Sequence, residues 1–169
     1  KTGSNTKLWI TGMNCGTGFG TGYTPDPLST AGYQGAGMAF LAAFDVPTLK
    51  LDHYTGWGAD DLAFSYGLDF AGKDIWVVGG SWSHLLTNTE LPDPGIAGAY
   101  HDMVNTGTPP LKKSDGFILD FNPETYELKY GTLIGGDDYD MLLDVGHDAQ
   151  RVYVTGETRS AAGFGQDLD

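Results

Sequence analysis

The chain has 169 residues, 40% of them apolar and 12% aromatic, enough for a buried core and too apolar for a disordered tail. Nine basic residues against 22 acidic ones leave a formal charge of -13, which repels nucleic-acid phosphates and anionic membrane surfaces. No apolar run approaches the ~20 residues that span a bilayer as a helix, and 26 glycines with only 18% charged residues favour short strands and tight turns over helices.

The chain opens on Lys1-Thr2-Gly3-Ser4, which resembles neither a signal peptide nor a natural start, so the sequence reads as a piece of something longer. Period-two alternation predicts strands near 7–12, 38–45, 49–57, 62–69, 74–80, 116–122, 126–134, 139–146 and 151–157. Asp45-Val46-Pro47-Thr48 and Asn122-Pro123-Glu124-Thr125 have turn chemistry and close hairpins. Phe70-Ala71-Gly72-Lys73 and His147-Asp148-Ala149-Gln150 are short polar loops between strands. The long connections 13–37 and 81–115, rich in Gly, Ser, Thr and Pro, are expected to pack as structural loops with exposed tips. Cys15, in the first of them, has no second cysteine to pair with.

The strands repeat. Lys7-Leu8-Trp9-Ile10-Thr11-Gly12 returns as Asp74-Ile75-Trp76-Val77-Val78-Gly79 and as Arg151-Val152-Tyr153-Val154-Thr155-Gly156, at steps of 67 (76 − 9) and 77 (153 − 76). The step of 67 carries Pro25-Asp26-Pro27 onto Pro92-Asp93-Pro94 and Tyr33 onto Tyr100, then fails. From Phe40 against Phe117 to Ser83 against Ser160 the step is 77 without a gap, which puts an insertion of about ten residues within 102–115. Four strands per unit with a long loop after the second is the composition of a propeller blade. The predicted class is therefore all-β, a β-propeller fragment of four-stranded antiparallel blades: a partial blade over 1–57, a full blade over 62–134 and a partial blade over 139–169.

Three tracts carry a family resemblance. Gly135-Gly136-Asp137-Asp138-Tyr139-Asp140, then Asp144-Val145-Gly146, then Val152-Tyr153-Val154-Thr155-Gly156-Glu157-Thr158 resemble the bacterial SBBP-type β-propeller repeats. Asp115 to Pro123 and Leu128 to Ile134 resemble the third and fourth strands of the same repeat, whereas Trp57-Gly58-Ala59-Asp60-Asp61 departs from its glycine pair. The resemblance implies a ring of blades, commonly seven, exported and displayed at or beyond the cell surface. It implies partners of that compartment, a protein or glycan at the cell surface, and the remaining blades of the same or other chains. Nucleic-acid binding and membrane insertion are not expected.

Among polar residues, Asp60, Asp61, Asp137, Asp138 and Asp140 are the candidate metal ligands, since clustered carboxylates with loop carbonyls suit calcium. Their spacing departs from a calcium loop, so a structural role, one Asp of each pair accepting backbone N–H groups in the turn before the innermost strand, is favoured. No cofactor is expected, calcium being the one possible ion. A glycosidase needs two carboxyl groups facing a sugar, and Asp137 and Asp138, as neighbours on a strand, would point to opposite faces. Gly16-Thr17-Gly18-Phe19-Gly20 is not a dinucleotide loop, because Pro25 and Pro27 deny it the helix that must follow. His53, His84, His101 and His147 lack zinc spacing, and no nucleophile elbow frames Ser81, Ser83 and His84. Trp9, Trp76 and Tyr153 recur and read as packing between blades. Trp82 does not recur, Arg159 standing at its equivalent, so Trp82 and His84 are the candidate ligand contacts, against the favoured reading of structural packing for Trp82 and plain loop polarity for His84. The leading expectation is a non-catalytic extracellular or cell-surface scaffold or adhesion module. The alternative is a propeller-fold polysaccharide-active hydrolase or lyase, or a carbohydrate-binding accessory domain of one.

Overall fold

A computed structural model describes residues 7–15, 37–58, 62–82 and 114–161. Their alternating segments form nine strands: β1 (Lys7–Asn14), β2 (Met38–Asp45), β3 (Lys50–Trp57), β4 (Ala63–Ala71), β5 (Asp74–Ser81), β6 (Asp115–Phe121), β7 (Leu128–Ile134), β8 (Asp140–His147) and β9 (Val152–Thr158). No helix occurs among the described residues. The strands form three antiparallel sheets of sequential neighbours, β1-β2-β3, β4-β5-β6-β7 and β8-β9. The expected boundaries hold within two residues. Strand β7 starts at Leu128 instead of 126 because Asn122 closes a wider turn. Its Oδ1 accepts from the Glu124 and Thr125 N–H groups while its carbonyl accepts from Tyr126 N–H.

The central sheet is apolar on both sides and is covered on both. Ile75, Val77, Phe117, Leu119, Phe121 and Leu133 pack with Ala39, Leu41, Trp57 and Trp9 of the first sheet. Val78, Ile134, Trp76 and Ile118 pack with Leu142, Val145, Val152 and Val154 of the third. Met38, Phe40, Ala42, Tyr54 and Ile10 lie on the opposite side of the first sheet. Successive strand residues alternate between the two sides, so each copy of the repeat sends equivalent residues in equivalent directions. Trp9 and Trp76 both face the sheet that follows, and Val77 and Val154 both face the sheet before. Tyr153, the third member of the Trp9 series, is 50% exposed.

The repeat is written into the irregularities as well as the strands. The β2–β3 pairing slips between Ala43 and Phe44, leaving Asp52 as the extra residue, and β6–β7 slips between Asp120 and Phe121 at Lys129, 77 residues on. The extra residues in β4–β5 and β8–β9 are Tyr66 and Leu143, again 77 apart. Leu49 (φ 54°) and Tyr126 (φ 64°), also 77 apart, are the two non-glycine residues in the left-handed region among those described. A bulge and a left-handed residue each cost local stability, so their coincidence at the same offset marks them as parts of one supersecondary unit. Adjacent sheets are tied alike: Ala63 N–H donates to Gly37 C=O at 2.9 Å, and Asp140 N–H to Ser114 C=O at 2.8 Å.

Beyond each first-strand bulge, the second strand needs a glycine. A Cβ on Gly79 would collide with the Phe64 carbonyl oxygen and reach within 2.6 Å of Phe117 Cζ, and one on Gly156 would collide with the Met141 carbonyl oxygen. This contact explains the glycine that closes the second and third copies of the motif; at Gly12 a Cβ would meet only the Phe40 ring, at 3.3 Å. At Gly146 a Cβ would meet nothing within 4 Å. Gly79→Ala is expected to destabilise by about 3 kcal/mol, the upper range for overpacking against backbone, and Gly146→Ala to change stability by less than about 0.5 kcal/mol. Urea unfolding of both variants checks the contrast; equal losses would remove the close approach as the reason for Gly79.

Candidate ligand-binding site

The strand ends define two rims. One carries Trp57, Ala63, Ser81, Asp115, Ile134, Asp140 and Thr158; the other carries Lys7, Asp45, Asp74, Phe121, Leu128, His147 and Val152. Asp60, Asp61 and His84 lie outside the described residues. Asp137, Asp138, Asp140 and Trp82 all gather on the first rim, where the β7–β8 connection meets the end of β9.

The three acids there are engaged in holding the chain. Asp140 is 1% exposed; its Oδ2 accepts from Gly136 N–H at 2.8 Å and from Ser160 Oγ–H at 2.7 Å. Ser160 Oγ in turn accepts from Asp138 N–H. Asp138 Oδ1 accepts from Tyr139 N–H, and Asp137 Oδ1 from Ala161 N–H at 2.9 Å. Asp137 and Asp138 are not neighbours on a strand, as the glycosidase comparison had assumed, but lie in the bend before β8, outside the strand expected over 139–146. Each of the three carboxylates accepts a hydrogen bond: those of Asp137 and Asp140 link the bend to Ala161 and Ser160 after β9, and that of Asp138 stays within the bend, on Tyr139. Among the described residues, no group of three or more His, Cys, Asp or Glu side chains is placed to hold a metal ion.

Trp82 continues from β5, its N–H donating to Leu62 C=O at 2.8 Å, and Arg159 N–H makes the equivalent bond to Tyr139 C=O. The Trp82 ring packs edgewise on Phe64 (5.5 Å between centroids) and on Tyr139 (6.1 Å, 60° between planes). The Arg159 guanidinium lies 5.7 Å from the Tyr139 ring centre. Trp82, Tyr139, Met141, Glu157 and Arg159 surround a cavity of about 220 Å³. Packing and an open pocket coexist at Trp82, and the sequence had no means of supplying the other walls.

The second rim carries ion pairs the sequence did not reveal. Lys7 Nζ donates to Asp52 Oδ2 at 2.5 Å, while Lys129 pairs with Asp74. Positions 7 and 74 are equivalent, as are 52 and 129, so the same bridge is kept with its charges exchanged. An identity search misses such a reciprocal change. Asp69 Oδ2 meets His147 Nδ1 at 2.6 Å across two sheets, a contact that holds the Asp69 carboxyl below its ordinary range. A cavity of about 690 Å³ lies beside Trp76, His147, Asp148 and Arg151.

Compared with known proteins, the chain matches no family model and no curated protein. The resemblance to SBBP-type repeats therefore rests on the tracts quoted above.

Asp120, its side chain 8% exposed and 3.3 Å from Lys129 Nζ, has its pKa pushed up to about 6 by burial, which outweighs the pull of Lys129. The folded protein thus keeps a proton between about pH 4 and 6 that the unfolded chain has released, so this group stabilises at low pH and the contribution is lost as pH rises through about 6. Relative to Asp120→Asn, the wild type should lose roughly 2–3 kcal/mol between pH 4 and 7 in urea unfolding; parallel curves would contradict the elevated pKa. For Asp137, Asp138 and Asp140, a capping role predicts the same thermal midpoint in calcium and in chelator. A midpoint that climbs with calcium concentration would assign them a bound ion instead.

Proposed function

We propose that the chain is a stretch of an exported β-propeller that serves as a non-catalytic scaffold or adhesion and interaction module at or beyond the cell surface. In this reading the central sheet is a complete blade over 62–134, the first sheet belongs to a partial blade over 1–57, and β8–β9 belongs to a partial blade over 139–169. One observation carries it: sheets of sequential antiparallel strands stack face to face, with bulges, turns and inter-sheet hydrogen bonds recurring at a step of 77. Radial repetition of four-stranded sheets is the arrangement that uses such a unit, each sheet covering the apolar side of the next. The net charge of -13 fits a soluble surface that avoids phosphate and anionic lipid.

The non-catalytic part of the reading is supported by the use of Asp137, Asp138 and Asp140, whose carboxylates accept hydrogen bonds from the protein itself. A glycoside hydrolase would need two carboxyl groups ~5–9 Å apart across a substrate. The deciding experiment places the purified chain on arrays of glycans and extracellular proteins, with a parallel assay for new reducing ends or unsaturated sugar products. Saturable binding to an arrayed ligand without product is the expected result. Turnover of any bound polysaccharide would overturn the non-catalytic reading in favour of the hydrolase or lyase.

A further inference from the structure

Trp82, Tyr139, Met141, Glu157 and Arg159 form a pocket whose equivalents in the preceding repeat are different in kind. Stepping back by 77 puts Leu62 at Tyr139, Phe64 at Met141, Gly80 at Glu157 and Trp82 at Arg159; stepping back by 67 puts Cys15 at Trp82. In that earlier junction the Phe64 and Trp82 rings lie against each other, 5.5 Å apart at 76°. In the later one a flexible thioether and a guanidinium stand at those two positions, and a cavity of about 220 Å³ is open beside them. Departure from the repeat in every wall, from Leu62 to Tyr139, Phe64 to Met141, Gly80 to Glu157 and Trp82 to Arg159, sets the chemistry of this junction apart from that of the preceding one.

The walls define the occupant. Trp82 and Tyr139 meet at 60°, giving two apolar surfaces set at an angle, against which the C–H face of a chair-shaped ring can lie. Glu157 and Arg159 are two residues apart at the end of β9, so their backbones direct both side chains to one side, where one accepts hydrogen bonds and the other donates them. An acceptor beside a donor matches vicinal hydroxyls, each of which does both. The opposed charges of Glu157 and Arg159, within a chain of net charge -13, give no surplus of positive charge for a uronate or sulfate. The volume is below the ~300–1,000 Å³ of sites for larger ligands and suits one ring. We infer that this pocket binds a single neutral pyranose unit of a glycan, stacked on Trp82 and Tyr139 and oriented by Glu157 and Arg159. The inference rests on the interaction-module reading and names its ligand class.

The test titrates cellobiose, chitobiose and lactose into the intact chain, following tryptophan fluorescence and saturation-transfer NMR. At least one disaccharide should bind saturably, with a dissociation constant on the order of 1 mM. Tyr139→Ala and Arg159→Ala, at exposed positions, should each weaken binding by about tenfold or more while near-UV circular dichroism shows the fold retained. Tyr153→Ala, an exposed tyrosine away from the pocket, should bind as the wild type does. Sugar binding unaffected by Tyr139→Ala and Arg159→Ala would overturn the pocket assignment and leave the module reading standing. Failure of all three sugars while an arrayed peptide or protein binds would overturn the glycan inference alone. A sugar that binds in the pocket and is cleaved would uphold the pocket and overturn the non-catalytic reading.

Discussion

A β-sheet that is apolar on both sides is stable only between two others, and the central sheet of this chain is of that kind. Phe117, Leu119 and Phe121 point one way and Ile118 the other, and each set is buried by a different neighbour. Fully burying a large apolar side chain is worth ~1.5–3 kcal/mol, so the two interfaces together dominate anything the exposed ion pairs supply. Propagation follows from the same constraint. The central sheet uses one side to cover the first sheet and the other to cover the third, with equivalent residues of the repeat facing equivalent ways.

Close stacking imposes secondary demands on the backbone. The first strand must press onto the second where its bulge turns the chain, which leaves no room for a side chain at Gly79 or Gly156. The turn between third and fourth strands must reach the rim of the preceding sheet. Tyr126 does so from a left-handed backbone, its ring 5.8 Å from Trp9 and stacked on His53 at 4.0 Å. A tyrosine there carries conformational strain, and the aromatic contacts offset it. Leu49, in the same conformation one unit earlier, is 71% exposed.

Where the repeat is broken, the chemistry becomes individual. The exchange of Lys7–Asp52 for Asp74–Lys129 breaks identity but keeps the interaction, so it belongs to architecture. The substitutions around Trp82 keep neither identity nor side-chain chemistry, and a cavity of about 220 Å³ lies among them. Asp137, Asp138 and Asp140 look like a ligand cluster when written in a line. In space Asp137 and Asp140 accept hydrogen bonds from Ala161 and Ser160, which tie the bend to the residues after β9, while Asp138 accepts from Tyr139 within the bend. A charge cluster in a sequence says that oxygens are near one another; only the directions of the N–H groups around them say whether those oxygens are spent.

The sequence by itself determined the strand positions, the antiparallel hairpins, the step of 77 and the recurrence of Trp9 at Trp76. These follow from local alternation, turn chemistry and self-similarity, all of which are written along the chain. The start of β7 was misplaced by two residues because the turn widens through side-chain bonds of Asn122 that no pattern announces. Trp82 was legible as an exception to the repeat, but Tyr139, Met141, Glu157 and Arg159 were not legible as its companions. They come from β8, β9 and their ends, at separations of 57 to 77 residues (139 − 82 and 159 − 82), and meet it only because stacking brings β8, with β9 paired beside it, against β4 and β5. The tertiary structure alone decided which acids are engaged, which charges pair and where a cavity opens, because each depends on side-chain directions across two packed sheets.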